Sequence, residues 1–97
     1  MLRHVVLLKF VDGTPPEKID AIAASLRELP SHLPSIRRYE LGRSLGLTDG
    51  AADLAIVAEF DDEAGYALYR DDPAHQAIIQ KDILPIVATR LGTQVEI

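Results

Sequence analysis

Three side chains of this sequence could together move a proton on a small molecule. Tyr69 and His75 lie close together around the start of a predicted helix, and His4 lies in the first predicted strand. A neutral imidazole such as that of His75 can remove a proton next to a carbonyl group, and the phenol of Tyr69 can donate a hydrogen bond to the oxyanion that develops. His4 could hydrogen-bond to the substrate or to His75.

The expected surroundings of His75 favour its neutral form. If Asp72 is the N-cap residue, His75 is the third residue of the helix, where backbone N–H groups and the helix dipole disfavour a positive charge. Each candidate taken alone is more often structural: His75 as a histidine at the edge of the core, Tyr69 as a packing aromatic and His4 as a solvated residue near a strand end. Their combination is what indicates a functional pocket.

The first half of the chain predicts a strand, a helix and a second strand. Residues 3–10 (RHVVLLKF) are apolar and β-branched, and they end at a turn signal. Residues 14–17 (TPPE) form a capping box, which predicts a helix with Thr14 as N-cap and Pro15 as its first residue. Apolar residues at helical spacing continue this helix, and residues 36–45 read as the second strand.

The second half predicts a strand, two helical segments and a last strand. Residues 53–60 (DLAIVAEF) form the strand, and residues 61–69 form a short helix. Asp72 then caps a second helical segment that is predicted over residues 73–87, and residues 90–97 alternate as a final strand. Strand–helix–strand units in this βαββαβ order predict a ferredoxin-like α+β sandwich, a four-stranded antiparallel sheet with its helices on one face.

The two central strands are apolar on both faces, although helices can cover only one face. The uncovered face would expose a contiguous apolar patch, which usually marks an interface. We therefore predict a homodimer through the open face of the sheet, because soluble homo-oligomers usually close as two-fold dimers. The alternative is a monomer whose open face is screened by the stems of long basic side chains. The predicted interface residues are Val5, Leu7, Ala55 and Val57.

Composition excludes several classes of protein and of site. The chain has 97 residues, enough for one domain over residues 1–97, and its net charge of −5 argues against binding to nucleic acid or to an anionic membrane surface. No cysteine is present, and three histidines without suitable spacing predict no metal site. The sequence carries no phosphate-binding glycine loop, so no cofactor is expected. No apolar run is long enough to span a bilayer and no signal-peptide pattern opens the chain, so we expect a cytoplasmic location.

Two motifs resemble a known family. Residues 4–10 (HVVLLKF) match the first strand of the stress-responsive dimeric α/β-barrel (Dabb) domain, and residues 69–75 (YRDDPAH) match the segment that opens its second long helix. The resemblance covers essentially the whole chain and implies the same βαββαβ order and a dimer. One departure is that family members often have His immediately before the proline, where this sequence has Asp72.

The resemblance implies an activity only by way of some plant members, which are similar to cofactor-free polyketide cyclases. Their acid–base residues match Tyr69 and His75, and a supporting histidine matches His4. The leading hypothesis is thus a stress-responsive homodimer that acts as a cofactor-free cyclase or lyase in a small apolar pocket. The alternatives are a noncatalytic dimer that binds a hydrophobic small molecule or protects against stress, and a cofactor-free monooxygenase of the same shape, which the absence of Trp disfavours. The expected substrate-binding residues are Val6, Leu8, Ile22, Leu26, Ile56, Ile78, Ile79 and Ile86.

Overall fold

The structure, a computed structural model, describes residues 1–97. Its strands are β1 (Leu2–Phe10), β2 (Arg38–Arg43), β3 (Leu54–Phe60) and β4 (Val87–Glu96). Its helices are α1 (Pro16–Arg27), α2 (Glu63–Arg70) and α3 (Pro73–Ile78), with a short 3₁₀ turn at Leu29–Ser31 and a wide π-type turn at Ile79–Ile83. None of these helices is long and apolar enough to cross a membrane.

The four strands form one antiparallel sheet in the order β2-β3-β1-β4. Central strand β1 pairs with β3, where Val5 lies opposite Val57, and with β4, where Val5 lies opposite Thr93. The inner face of the sheet packs against α1 and α2, and its core includes Leu8 and Phe60. The predicted ferredoxin-like α+β sandwich and its order of elements are confirmed.

Helix α1 does not begin as the capping box predicts. The hydroxyl of Thr14 donates a hydrogen bond to the carbonyl of Val11 at 2.8 Å, so it closes a turn instead of capping a helix. Pro15 occupies the cap position in an extended conformation and provides no side-chain cap. The prediction that Thr14 is the N-cap was therefore wrong, because the helix begins one residue later and Thr14 belongs to the turn that follows β1.

The second helical region ends earlier than predicted. The predicted continuous helix over residues 73–87 is wrong at its C-terminal end, because Val87 already belongs to β4. After Ile78 the hydrogen bonding widens, and the amide of Leu84 donates to the carbonyl of Ile79 at 2.9 Å. Pro85 lacks an N–H group and so cannot continue a helix. Strand β2 is likewise shorter than the predicted strand over residues 36–45.

The open face of the sheet carries apolar side chains, as predicted. Leu7 on β1 is 39% exposed, and Leu91 and Val95 on β4 are 65% and 46% exposed. Leu91 lies opposite Leu7 in the β1–β4 register, so both point to the side away from the helices. The alternate residues of β4, which are polar, point toward the helices. This inverts the usual arrangement of an edge strand, in which polar residues face the solvent.

Candidate active site

A cavity of about 460 Å³ lies between the inner face of the sheet and the segment from α2 to the π-type turn. Its walls include the three residues that the sequence nominated for acid–base chemistry, His4, Tyr69 and His75. The remaining lining residues are Val6, Leu8, Leu26, Ile56, Tyr66, Arg70, Gln76, Ile79, Gln80, Ile83, Leu84, Arg90, Gly92 and Gln94. The fold thus brings one residue of the first strand and two from the α2–α3 region to one concave surface.

His75 is held by the start of α3 and by the end of α2. The carboxylate of Asp72 caps α3, as predicted, and accepts a hydrogen bond from the backbone N–H of His75 at 3.0 Å. The ring Nδ1 of His75 lies 3.3 Å from the carbonyl oxygen of Arg70. Because a carbonyl can only accept, Nδ1 carries the proton and Nε2 keeps its lone pair. The geometry therefore presents His75 as a base through Nε2.

His4 is held in the opposite tautomer. The side-chain amide of Gln94 on β4 donates a hydrogen bond to Nδ1 of His4 at 2.9 Å. Since Nδ1 accepts, the proton of neutral His4 lies on Nε2, which can donate. The cavity therefore has one imidazole that can accept a proton at Nε2, His75, and one that can donate a hydrogen bond from Nε2, His4.

Neither Nε2 atom has a hydrogen-bond partner within the protein. The hydroxyl of Ser35 is the only side-chain polar atom of the protein that is both buried and without a hydrogen-bond partner. The two Nε2 atoms, which also lack a partner, are therefore at least partly exposed to solvent. His4 and His75 are each only 8% exposed as whole residues, so most of each ring is buried while Nε2 remains accessible. A ligand in the cavity can therefore reach the reactive nitrogen of both rings.

Tyr69 lies between the two histidines and is 2% exposed. Its ring stacks on the ring of His75 with centroids 4.1 Å apart, and its centroid lies 6.0 Å from that of the His4 ring in an edge-on arrangement. The hydroxyl of Tyr69 is 3.1 Å from the hydroxyl of Tyr39, and either oxygen can be the donor. When Tyr39 donates, the proton of Tyr69 is free to bind a ligand oxygen.

Burial keeps all of these groups uncharged near neutral pH. Burial, and to a smaller extent the neighbouring His75, lower the pKa of His4 to about 4. Burial also lowers the pKa of His75, although hydrogen bonds to backbone carbonyls and the carboxylate of Asp72 oppose this effect. Burial and the neighbouring Tyr39 raise the pKa of Tyr69 well above its usual range. The site therefore holds a neutral base and a neutral phenol.

Comparison with known families decides the identity of this fold. A model of the family described as the stress responsive A/B barrel domain, Dabb, matches residues 2–96. The chain belongs to the Dabb family. The resemblance of the two sequence motifs is thereby confirmed.

Related proteins cover from 79% to 99% of this Dabb chain. A protein of Streptomyces coelicolor described as uncharacterized is 32% identical over 79 residues, which are 79% of this chain and 81% of that protein. The crystal structure of a dimeric ferredoxin-like protein of unknown function from Thermobifida fusca is 33% identical, with a TM-score of 0.90 over 99% of this chain and 90% of that one. The hydroxynitrile lyase of Passiflora edulis is 19% identical and shares the fold, with a TM-score of 0.83 over 99% of this chain and 92% of that one.

Five of the eight predicted substrate-binding residues line the cavity of this Dabb domain: Val6, Leu8, Leu26, Ile56 and Ile79. The other three lie elsewhere. Ile22 lies on the buried face of α1 in the core, and Ile78 and Ile86 pack against that core from its edge. Ile83 and Leu84, at the end of the wide turn and directly after it, line the cavity although the sequence did not single them out.

Sequence reasoning missed the polar residues that complete the site. Gln94 and Arg90 come from β4, which was predicted only as an alternating strand, with no role given to its polar residues. The β1–β4 register provides the missing signal, because Gln94 lies opposite His4 and Arg90 lies opposite Leu8. Tyr39 was identified only as a strand residue, although its hydroxyl meets that of Tyr69.

Titration of the two histidines is the first test of this Dabb site. We expect the pKa of His75 to lie below 6.5 and that of His4 to lie near 4, because both rings are buried. Unfolded chains bind these protons more tightly, so the free energy of unfolding should fall as pH drops from 6.5 toward 4. NMR of the imidazole resonances measures both values, and a pKa of His75 at or above 6.5 would contradict its role as a neutral base.

Proposed function

We propose that this Dabb protein is a cofactor-free enzyme that performs acid–base chemistry on a small carbonyl compound, as a cyclase or lyase. The observation that carries this proposal is the accessible, unprotonated Nε2 of His75 in the wall of a cavity that also holds Tyr69 and His4. A packing histidine would use both ring nitrogens within the protein. The Passiflora edulis hydroxynitrile lyase has the same fold, but the cavity of this chain is what supports the proposal here.

The proposed reaction begins with removal of a proton from the carbon beside the substrate carbonyl. Nε2 of His75 takes this proton, and the electron pair of the broken C–H bond forms an enolate. In a cyclisation, the nucleophilic carbon attacks a second carbonyl of the same substrate and forms a C–C bond. The alkoxide that results takes a proton back from protonated His75, so the base is regenerated and no cofactor is consumed.

Tyr69 and His4 are proposed to stabilise the oxyanion. The N–H at Nε2 of His4 is oriented by the amide of Gln94, and the hydroxyl of Tyr69 donates to the substrate when Tyr39 donates to it. Donors that are fixed before the reaction lower its barrier, because they need no reorganisation as the charge develops. The stacked ring of Tyr69 also lies against the imidazole of His75, where it can stabilise the transient imidazolium.

We propose further that the protein is a homodimer that buries the open face of its sheet. Val5 and Val57 are only half-buried in the single chain, and Leu7, Leu91 and Val95 are exposed. An apolar strip of this kind would be costly in water. The Thermobifida fusca protein, which has the same fold at 33% identity, is described as dimeric.

A noncatalytic role in binding is the second candidate function. Nine of the 17 lining residues are hydrophobic, so the cavity could hold an apolar ligand without chemistry. The two functions differ in what His75 does: an enzyme needs its lone pair, whereas a binding protein needs only its volume.

Filling the cavity tests whether it is the functional site. Gly92 on β4 lines the cavity, and a Cβ there would lie 3.7 Å from the nearest side-chain atom, an ordinary contact. Gly92→Leu should therefore fold but block the cavity, while Gly92→Ala adds one methyl group and serves as the control. With benzylacetone as probe in D₂O, we expect the rate of deuterium exchange at the carbon beside the carbonyl to be at least about tenfold lower in the leucine variant. Unchanged exchange in a folded Gly92→Leu protein would place the chemistry elsewhere.

A further inference from the structure

The cavity is positively charged in a protein that is negatively charged overall. Its lining contains two guanidinium groups, those of Arg70 and Arg90, and no carboxylate. The chain as a whole carries a net charge of −5. A concave site that concentrates one sign of charge attracts ligands of the opposite sign. The charge of the cavity therefore points to an anionic ligand.

The two arginines are not equivalent. The guanidinium of Arg70 binds the carboxylate of Asp71 through two hydrogen bonds, at 2.9 and 3.0 Å. Arg90 forms no ion pair within the chain; the six ion pairs of the structure involve other residues. Its positive charge is nevertheless close enough to lower the pKa of His75. Arg90 is thus the cavity cation with free hydrogen-bond donors.

The position of Arg90 along β4 separates it from the His4 end of the cavity floor. Arg90 lies opposite Leu8 and Gln94 lies opposite His4, so Arg90 and the His4 end are separated by four residues along β4. Four residues of an antiparallel strand span roughly 13 Å. Between them lies Gly92, which has no side chain to obstruct the floor, and the apolar Ile79 and Ile83 form the wall. The cavity is therefore polar at both ends and apolar along its middle.

We propose that Arg90 binds the carboxylate of an elongated, amphipathic substrate whose reactive carbonyl lies against Tyr69 and His75. A planar guanidinium matches a carboxylate with two parallel hydrogen bonds, which makes such a pair selective for carboxylic acids over neutral analogues. The substrate class is then an aromatic or medium-chain keto acid. The placement of the reactive carbonyl rests on the proposed function, whereas binding of the carboxylate by Arg90 does not depend on it.

The test compares a carboxylate with its neutral amide. 4-Phenylbutanoate and 4-phenylbutanamide have the same apolar body, and neither needs to react, so calorimetric titration measures binding alone. We expect the wild-type protein to bind the carboxylate about tenfold to a hundredfold more tightly than the amide. In Arg90→Gln this preference should fall to about twofold or less. Arg70→Gln is the matched control: it removes the same charge from the cavity wall, but from a guanidinium that Asp71 already occupies.

Three outcomes would overturn the assignment of Arg90. These are equal affinity of the wild-type protein for both probes, an undiminished preference in Arg90→Gln, and an equal loss of preference in Arg70→Gln. The last result would show a general effect of cavity charge instead of a subsite. Because the probes are unreactive, an Arg90-dependent preference without any His75-dependent turnover would support the carboxylate subsite and contradict the proposed enzyme function.

Discussion

Val57→Lys is expected to split the proposed dimer into monomers at micromolar concentration. Val57 lies at the middle of the sheet, opposite Val5 on β1 and opposite Glu40 on β2. In a single chain, a lysine there reaches solvent and has a carboxylate on the neighbouring strand, so the fold should tolerate it. In a two-fold dimer the same change buries two charges against an apolar surface. We expect the dissociation constant to rise by at least about two orders of magnitude.

Sedimentation velocity measures this change directly, because one chain has a mass of 10.6 kDa and a dimer has twice that mass. Leu68→Lys is the matched control, since it adds a lysine at a position on α2 that is 62% exposed. The control should remain dimeric. A wild-type protein that sediments as a monomer, or a Val57→Lys protein that remains a dimer, would contradict burial of the open sheet face.

The sequence predicted those parts of the fold that depend on local rules. The alternation of β1 and β3 and the cap at Asp72 each involve residues within a few positions of one another, and the structure contains all three. A local rule failed at the start of α1. Thr14 fits a capping box, in which its hydroxyl would accept a hydrogen bond from a helical N–H group, yet this hydroxyl donates to the carbonyl of Val11 and Pro15 is the cap residue. The motif alone does not fix the residue at which the helix begins.

The apolar part of the cavity was only partly predictable, because helical spacing gives the apolar face of a helix but not how that face is seated on the sheet. Ile78 and Ile79 are adjacent apolar residues at the end of α3, and the sequence treated both as cavity residues. In the structure Ile79 lines the cavity together with Ile83, four residues later, as residues on one helical face do. Ile78 packs at the edge of the core instead.

The polar residues that β4 adds to the site, Gln94 and Arg90, could not be predicted, because their place depends on the register between the first and last strands. Gln94 is 90 residues from His4 in the chain, yet its amide fixes the tautomer of that histidine. An edge strand that alternates polar and apolar residues is usually read with its apolar side toward the helices. Here the apolar side of β4 faces outward, which is consistent with the sheet burying that face against a second copy.

His75→Gln should abolish most of the acid–base activity while it preserves the structure of the cavity. Glutamine can donate from its amide to the carbonyl of Arg70, as Nδ1 of His75 does at 3.3 Å, but it cannot take up a proton near neutral pH. Loss of a general base costs about two to four orders of magnitude in rate. We expect deuterium exchange into benzylacetone to fall by that factor in His75→Gln, and equally in His75→Ala.

The pH dependence separates a base from a residue that only shapes the cavity. In the wild-type protein the exchange rate should rise with pH through the pKa of His75, which burial places below 6.5, and then remain level at neutral pH. That inflection should be absent from His75→Gln. Leu68→Lys is again the control, because Leu68 is 62% exposed and lies outside the cavity lining, so this variant should retain the inflection and most of the activity. If His75→Gln exchanged deuterium at the wild-type rate, Nε2 would not be the base, and the cavity would be better explained as a site that binds an apolar ligand without chemistry.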